Sequence, residues 1–403
     1  MRLTSLSLTN FRIFNRLEVE FPQECLVIAG DNAQGKTSFL EAIYFLTTLS
    51  SIVASHDRQL INFSALKEPI PVSRLVANFI RKDSNHRLEI RLILDAGNTG
   101  ISRLRKEILL DDVKRGQQKS IGLFNSVIFL PQMMKILEGG PEERRKYLDN
   151  FISQVHPVYA RAVNEYSNAL SQRNALLKQI SERGGDPAQL DYWDELVCEN
   201  GAIIIYHRIE AAREIERIAL QEYRSLTHES ESFRLIYQPA YDPQQNSDDP
   251  LKQNFLSAMQ RPHIEVVEIK AGFARQLKVN RKEDLVRGLT TTGPHRDELR
   301  TYSNEIDLGN YGSRGQIRSA VMSLKLAELK WLYLKIGEWP LLMLDETMAE
   351  LDHQHRRDLE ERLKGYDQVI LTTTDRHLLS ENFLENCALW QVKSGKIDSM
   401  LDH

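Results

Sequence analysis

Gly30 and Gly35 stand with four residues between them and are followed at once by Lys36 and Thr37. That spacing suits a phosphate chain. Glycines let backbone N–H groups converge on anionic oxygens with no Cβ in the way, and a lysine at this position reaches the β- and γ-phosphates. The hydroxyl of Thr37 can ligate Mg²⁺, and a helix starting here adds positive potential from its first turn. Gly30, Asp31, Asn32, Ala33, Gln34, Gly35, Lys36, Thr37 and Ser38 are therefore the expected contacts for ATP, with Mg²⁺ as its counterion. A phosphate loop of this type needs a carboxylate at the end of another strand. Leu341–Leu344 is an apolar run ending in Asp345 and Glu346. Asp345 is expected to hold the metal together with Thr37. Glu346 is expected to polarise the attacking water as general base, with Lys36 as the second catalytic group.

Three further stretches follow in an ordered series. Gly312-Ser313-Arg314-Gly315-Gln316 opens a helical pattern about 30 residues before the acidic pair. Small residues at a helix start present N–H groups and a hydroxyl to an anion. In ATP-binding-cassette proteins such a signature faces the nucleotide of a second subunit, so Ser313, Arg314, Gly315 and Gln316 are candidate contacts in trans. Glu350-Leu351-Asp352 resembles the loop that crosses the same interface, which makes Asp352 a candidate. Val369–Thr373 is a strand-like run leading to Thr374 and Asp375, where that architecture places its γ-phosphate sensor; Thr374 is the candidate here.

The elements that must carry these residues are legible from hydrophobic period. Alternating positions around Leu3–Leu8 and Leu17–Phe21 predict strands, and Cys25–Ala29 is a continuous apolar run suited to a strand buried on both faces. The residues after Lys36 take up helical spacing. Further strands are expected within 72–113, with a turn at Asp95-Ala96-Gly97-Asn98. From about 141 to 226 the period is helical, with Arg173 in a place the apolar stripe would give to an aliphatic residue. Gly184-Gly185-Asp186-Pro187 breaks that run, predicting an antiparallel pair of helices. Residues 239–250 read as a polar, proline-rich loop, and a strand-like pattern is expected to return from about 264. The expected class is α/β: a cassette-type ATPase head on a mixed sheet, with an inserted helical lobe. The expected parts are an N-terminal ATPase part (1–140), a helical arm (141–263) and a C-terminal ATPase part carrying signature and acidic pair (264–403).

Composition narrows the function classes. The 403 residues are 41% hydrophobic and 27% charged, enough apolar content for a real core. A formal charge of −4 argues against coating nucleic acid by bulk charge while leaving room for local basic patches. Arg103-Leu104-Arg105-Lys106, Lys114-Arg115 with Lys119, and Arg144-Arg145-Lys146 are such patches, suited to phosphates rather than base edges. No apolar run is long enough to span a membrane, and the N-terminus lacks the apolar region of a signal peptide. Cys25, Cys198 and Cys387 lie far apart with no Cys-x-x-Cys pair. Neither a disulfide scaffold nor a structural zinc site is expected, and a reducing cytoplasm is the natural compartment.

The chain resembles the RecF family of bacterial recombinational-repair ATPases, cassette-type proteins related to the structural-maintenance-of-chromosomes proteins. The resemblance rests on Leu6–Arg12, on the phosphate loop running into Leu40–Tyr44, on Glu142–Asp149 and on Tyr166–Lys178. It rests further on Thr292-Gly293-Pro294-His295-Arg296-Asp297, on Ser313–Gln316 and on the acidic pair with the loop that follows. Residues 185–285 match little beyond length and pattern. The resemblance implies an ATP-driven homodimer that clamps duplex DNA near single-strand gaps, without sequence preference. It also implies mediator partners such as RecR and RecO, a place in replication, repair and the SOS response, and weak ATP turnover. A RecF-like ATPase of another system, such as an overcoming-lysogenisation-defect or defence complex, is the alternative.

Three stretches depart from the family pattern. Pro131-Gln132-Met133-Met134 replaces Pro-Glu-Asp-Leu, so Gln132 is a candidate metal or water contact in the manner of a cassette-transporter glutamine. Asp345-Glu346 replaces a pair of aspartates but keeps both carboxylates. Leu49–Ala54 lacks the family's basic residue. His295 and Arg296 are expected either to order the signature helix or to contact DNA.

Overall fold

The computed structural model describes residues 1–22, 24–95, 103–227, 231–244 and 257–400. The chain forms two compact units, one from residues 1–133 with 332–403 and one from residues 134–331.

The first unit opens with strands β1 (Arg2–Phe11), β2 (Phe14–Glu20) and β3 (Cys25–Ala29), followed by helix α1 (Lys36–Thr48). Strands β4 (Val72–Arg81), β5 (Ser84–Asp95), β6 (Arg103–Leu110), β7 (Val113–Arg115) and β8 (Ser126–Phe129) follow. The second unit holds helices α2 (Pro141–Ser153), α3 (Pro157–Arg183) and α4 (Asp191–Leu226), strand β9 (Arg234–Gln238) and helix α5 (Val266–Arg287). Strands β10 (Glu298–Ser303) and β11 (Ile306–Asp307) come next, then most of helix α6 (Arg314–Ile336). The chain returns to the first unit with β12 (Leu341–Asp345), α7 (His353–Leu363), β13 (Val369–Thr373), β14 (Ala388–Lys393) and β15 (Lys396–Met400).

Two sheets build the first unit. An antiparallel sheet runs β2-β1-β4-β5-β6-β7, and a mixed sheet runs β15-β14-β3-β13-β12-β8. In the mixed sheet β14, β3, β13, β12 and β8 are parallel, with β15 closing one edge as a hairpin. The apolar runs read from sequence are its interior strands: Leu26–Ile28, Leu341–Leu344 and Val369–Leu371 are almost wholly buried. A parallel strand covered on both faces requires such continuity. The buried side of α1 packs into the same core, with Phe39, Leu40, Ile43, Phe45 and Leu46 at 0% exposure. The predicted turn at 95–98 lies, apart from Asp95, outside the described residues, as does the end of the proline-rich loop from 245.

Cys25 and Cys387 form a disulfide, with Cα atoms 4.6 Å apart, contrary to the expectation from sequence. Their separation of 362 residues hid a register fact. Strands β3 and β14 are parallel neighbours in which Leu26 faces Ala388, so the preceding residues of each strand meet. Cys198 is buried and free, its thiol pushed up to about 12, chiefly by that burial.

The second unit is mainly helical, with a three-stranded sheet β11-β10-β9. The break at Gly184–Pro187 separates α3 from α4, which pack against each other as expected. Arg173, wholly buried, pairs with Asp194 at 2.6 Å and Asp284 at 2.7 Å and donates to Thr290. It thereby ties α3 to α4 and to α5. The strand-like pattern expected from about 264 is instead the helix α5. Ile269, Phe273 and Leu277 recur at helical spacing and are wholly buried, while Val267, Val279 and Val286 lie exposed on other faces. Its scattered β-branched residues mimic strand composition, yet contact with α3 and α4 decides the conformation.

Candidate nucleotide site

Four parallel strands of the mixed sheet end side by side, where α/β sheets place their ligands. Residue pairs Thr373–Ala29, Asp345–Thr372 and Leu344–Phe129 set the register, so the segments after β3, β13, β12 and β8 leave one edge together. From β3 springs the 30–37 loop. From β12 come Asp345 and Glu346, from β13 comes Thr374, and from β8 comes Pro131-Gln132.

The glycine loop is fixed by close approach. A Cβ on Gly30 would lie 2.6 Å from the Val392 carbonyl oxygen, and one on Gly35 2.5 Å from Ile13 Cδ1. Gly35 also has φ +115°, a left-handed conformation that side chains resist. Gln34 anchors the loop to the β14–β15 turn, accepting from Ser394 N at 2.6 Å through its side chain and from Gly395 N at 3.2 Å through its carbonyl. Asp31, Asn32 and Ala33 are exposed; Ser38 is half-buried.

Lys36 is only 5% exposed. Its ammonium donates to the carbonyls of Gly30 at 2.5 Å and Asp31 at 3.0 Å, and lies 2.9 Å from Glu346 Oε1. The other carboxylate oxygen of Glu346 accepts from Thr374 N at 2.9 Å and Thr374 Oγ1 at 3.2 Å. Glu346 has φ +50°, and its N–H reaches Thr372 O at 3.2 Å. The β12 exit is therefore a bent, tethered backbone. Asp345 is 3% exposed and accepts from Thr37 Oγ1 at 2.7 Å and Thr372 Oγ1 at 2.6 Å. Burial raises its pKa, while the two hydroxyls pull the other way.

Such a carboxylate beside a threonine hydroxyl fits one face of a Mg²⁺ shell. The described residues contain no group of three His, Cys, Asp or Glu side chains able to hold a metal alone. A cation here would need phosphate oxygens and water, as Mg²⁺ in nucleotide sites usually has. Gln132 is exposed, one strand over from Asp345 at the same sheet edge. Thr372 is a supporting residue with little sequence signal. A β-branched residue two positions before the sensor is the faint signal it left.

The signature lies in the second unit. Ser313 and Gln316 cap each other at the start of α6: Gln316 N donates to Ser313 Oγ at 3.2 Å, and Ser313 N donates to Gln316 Oε1 at 3.1 Å. Gln316 Nε2 then sits 3.3 and 3.4 Å from the Glu231 carboxylate, which Tyr223 and Ser303 hold at 2.6 and 2.8 Å. Ser313, Arg314 and Gly315 are exposed at the start of this 23-residue helix. Glu231 carried no sequence signal. Asp352, in the first unit, is exposed and caps α7 by accepting from His355 N at 3.0 Å.

Within the Gly293–Asp297 stretch, His295 and Asp297 are tied into the second unit, while Arg296 is exposed. Asp297 is wholly buried and accepts from Arg208 at 2.9 Å, from Ala240 N at 2.9 Å and from Tyr237. His295 takes a hydrogen bond from Tyr166 of α3 at 2.7 Å and donates to Thr290 O at 3.1 Å, so it orders the long helix rather than α6. Arg144 is paired with Glu298 and Arg145 donates to Asp297 O. Lys106 pairs with Asp57 at 2.7 Å. These three basic groups are occupied within their own units.

The RecF/RecN/SMC N-terminal domain family matches residues 2–397. The chain is 33% identical over 402 residues to DNA replication and repair protein RecF of Alkaliphilus oremlandii, covering 99% of this chain and 100% of that protein. It is likewise 33% identical to the RecF of Halothermothrix orenii, covering 98% of each. A solved structure of the recombination mediator protein RecF with ATP, from the RecFOR pathway, superposes with a TM-score of 0.82 at 27% identity, covering 99% and 98% of the two chains. An SMC head bound to the C-winged helix domain of ScpA superposes at 0.50 with 15% identity, covering 99% and 98%, and supports the fold alone.

Proposed function

Because this chain belongs to the RecF family, we propose that it is an ATP-binding protein of DNA replication and recombinational repair, and that it hydrolyses ATP. The observation that carries this is the convergence of Lys36, Thr37, Asp345, Glu346 and Thr374 at one sheet edge. Lys36 and the loop N–H groups bind the phosphates, and Thr37 with Asp345 would hold Mg²⁺. Mg²⁺, when bound, neutralises charge on the β- and γ-phosphates. Glu346 accepts the proton of the attacking water, and Thr374 holds that carboxylate in place.

ATP drives a homodimer in which Ser313 of one copy meets the γ-phosphate held by the other, and hydrolysis removes that bridge. Asp352 lies along the same interface, and Gln132 contacts metal or water there. The dimer clamps duplex DNA at double-strand/single-strand junctions through its backbone and works with mediators such as RecR and RecO. The relatives matched favour repair over a defence complex. No helix among the described residues is long and apolar enough to cross a membrane; a cytoplasmic place follows from the family.

Sedimentation with and without ATP, using Glu346→Gln to arrest turnover and gapped, duplex and single-stranded DNA, tests the reading. ATP-dependent doubling of mass with preference for gapped DNA is expected. A monomer under all conditions would refute it.

A further inference from the structure

The Cys25–Cys387 disulfide joins the entry ends of two strands whose exit ends shape the phosphate loop. Strand β3 begins at Cys25 and runs out into Gly30. Strand β14 begins just after Cys387 and lies parallel to it, with Leu26 facing Ala388 and Ala29 facing Gln391. At its exit end β14 touches the loop directly. A Cβ on Gly30 would meet both the carbonyl oxygen and the side chain of Val392, and the turn that follows holds Gln34 through Ser394 N and Gly395 N. Midway, Trp390 packs on Phe39 of α1 with ring centroids 6.4 Å apart, so β14 also meets the helix that starts at Lys36. In the sheet order the β14–β15 hairpin joins the other strands through β3. The S–S bond therefore pins one end of an edge hairpin, and the loop rests on the other end.

The bond is also within reach of reagents. Cys25 is half-buried and Cys387 is buried, and both line a cavity of about 940 Å³ in the first unit. Met1, Glu24, Lys364 and Asp367 share its walls, as does Val369, the first residue of β13. The cavity thus lies at the sheet edge opposite the one that carries Lys36 and Asp345. In the cytoplasm proposed above, thiols are kept reduced, and the disulfides found there are mostly transient or redox-sensing. A disulfide in a cavity wall suits exchange with an incoming thiolate, which needs access to one sulfur.

We propose that Cys25–Cys387 is a thiol-exchange site through which a dithiol reductant sets the affinity of the phosphate loop for ATP. One thiolate of the reductant attacks Sγ of Cys25, the more exposed of the two, forming a mixed disulfide and releasing Cys387 as a thiolate. The second thiolate then attacks the reductant's own sulfur in that mixed disulfide and releases Cys25. Two electrons pass to the protein, the two thiol protons end on Cys25 and Cys387, and the reductant leaves as a disulfide. Reduction loosens the entry end of β14 and, through Val392 and Ser394, the loop. The effect on ATP rests on the nucleotide-site reading above; the exchange step does not.

The test treats the folded full chain with dithiothreitol or with a small redox protein bearing a Cys-x-x-Cys site. Alkylation after an acid quench should show free thiols rising from one to all three cysteines. Reduction should weaken MgATP roughly five- to fifty-fold, within the usual span of coupling between sites. Hydrogen exchange at residues 30–37 should speed up without nucleotide. Opening by the redox protein makes a protein dithiol the source; opening by dithiothreitol alone makes it a small dithiol. Cys25→Ala with Cys387→Ala should bind ATP weakly with or without reductant, while Cys198→Ala should keep the full response. A bond that neither reagent opens before urea unfolds the chain would overturn the proposal. So would three free thiols before any treatment, or the same measurable ATP affinity in both forms. No ATP binding in either form, with exchange at 30–37 still following the thiol state, would refute the nucleotide reading and leave the exchange site standing.

Discussion

Lys36 and Glu346 are joined at 2.9 Å, the phosphate-reaching cation against the proposed general base, with Lys36 nearly buried and Glu346 20% exposed. In the function proposed above, a triphosphate would compete with Glu346 for the same ammonium and free Oε1 of Glu346, while Oε2 stays on Thr374 N. Lys36→Ala should abolish measurable ATP binding in a fluorescent-nucleotide titration, and with it ATP-dependent dimerisation. Dimer formation at the unaltered level would remove the 30–37 loop from the mechanism.

Glu346→Gln keeps the size and the bent backbone but loses both the base and the charge that competes for Lys36. Turnover should fall by about 10²- to 10⁴-fold. ATP affinity should be equal or tighter, because Lys36 no longer has an anionic partner within the protein. Steady-state ATPase assays and equilibrium titration separate the two effects. Undiminished turnover would place the base elsewhere.

The parts of this architecture that were legible are those whose physics is local. A doubly covered strand needs a continuous apolar run, and Cys25–Ala29, Leu341–Leu344 and Val369–Leu371 have one. A helix break needs Gly and Pro, and Gly184–Pro187 supplies them. Illegible parts depend on partners distant in sequence. The Cys25–Cys387 bond follows from strand order, which no spacing encodes. The helix α5 hides its buried face among β-branched residues that lie outside it. Gly293–Asp297 stood out as a motif, yet Asp297 and His295 serve packing, because their partners Arg208, Tyr237 and Tyr166 come from other segments. In the site itself, Glu231 behind Gln316 and Thr372 behind Asp345 gave little sign, since a supporting side chain has no fixed offset from the group it supports.

Burial also sets a pH dependence in the second unit. The His295 ring is pushed down to about 4, chiefly by desolvation, with Arg296, Arg145 and Arg173 adding repulsion. Below the ordinary histidine value the unfolded chain takes up a proton that the folded chain refuses. Stability from this group is therefore full above pH ~6.5 and falls as pH drops toward 4, by up to about 3 kcal/mol. Urea unfolding at pH 7.5 and 5 should show the loss, and His295→Gln should lessen the difference. An identical pH slope in the variant would assign it to other groups.

Arg173 balances two buried carboxylates, Asp194 and Asp284, the latter wholly buried. Arg173→Met fills similar volume but leaves Asp284 without a cation. The cost should be about 3–5 kcal/mol, read as a lower urea midpoint. Adding Asp284→Asn to Arg173→Met should recover part of it. A neutral single substitution would mean that Asp284 is satisfied by the Thr291 amide and hydroxyl donors, and Asp194 by Arg281.

Ser313 separates a cassette dimer from a phosphate-loop monomer. If the hydroxyl only caps α6, Ser313→Arg costs roughly 0.5–2 kcal/mol of stability and leaves nucleotide chemistry untouched. If the helix start faces a γ-phosphate held by another copy, an arginine there blocks closure. ATP should then still bind each chain through Lys36 and Thr37, while dimerisation and hydrolysis are lost. Mixing Ser313→Arg with Lys36→Ala chains gives the decisive control. Each mixed dimer has one site with an intact loop from the first chain and an intact Ser313 from the second. Partial return of ATPase activity on mixing, absent from either variant alone, is the expected result. Full activity of Ser313→Arg by itself would show that each chain hydrolyses ATP alone, and that Gln316 and Glu231 order that helix for stability only.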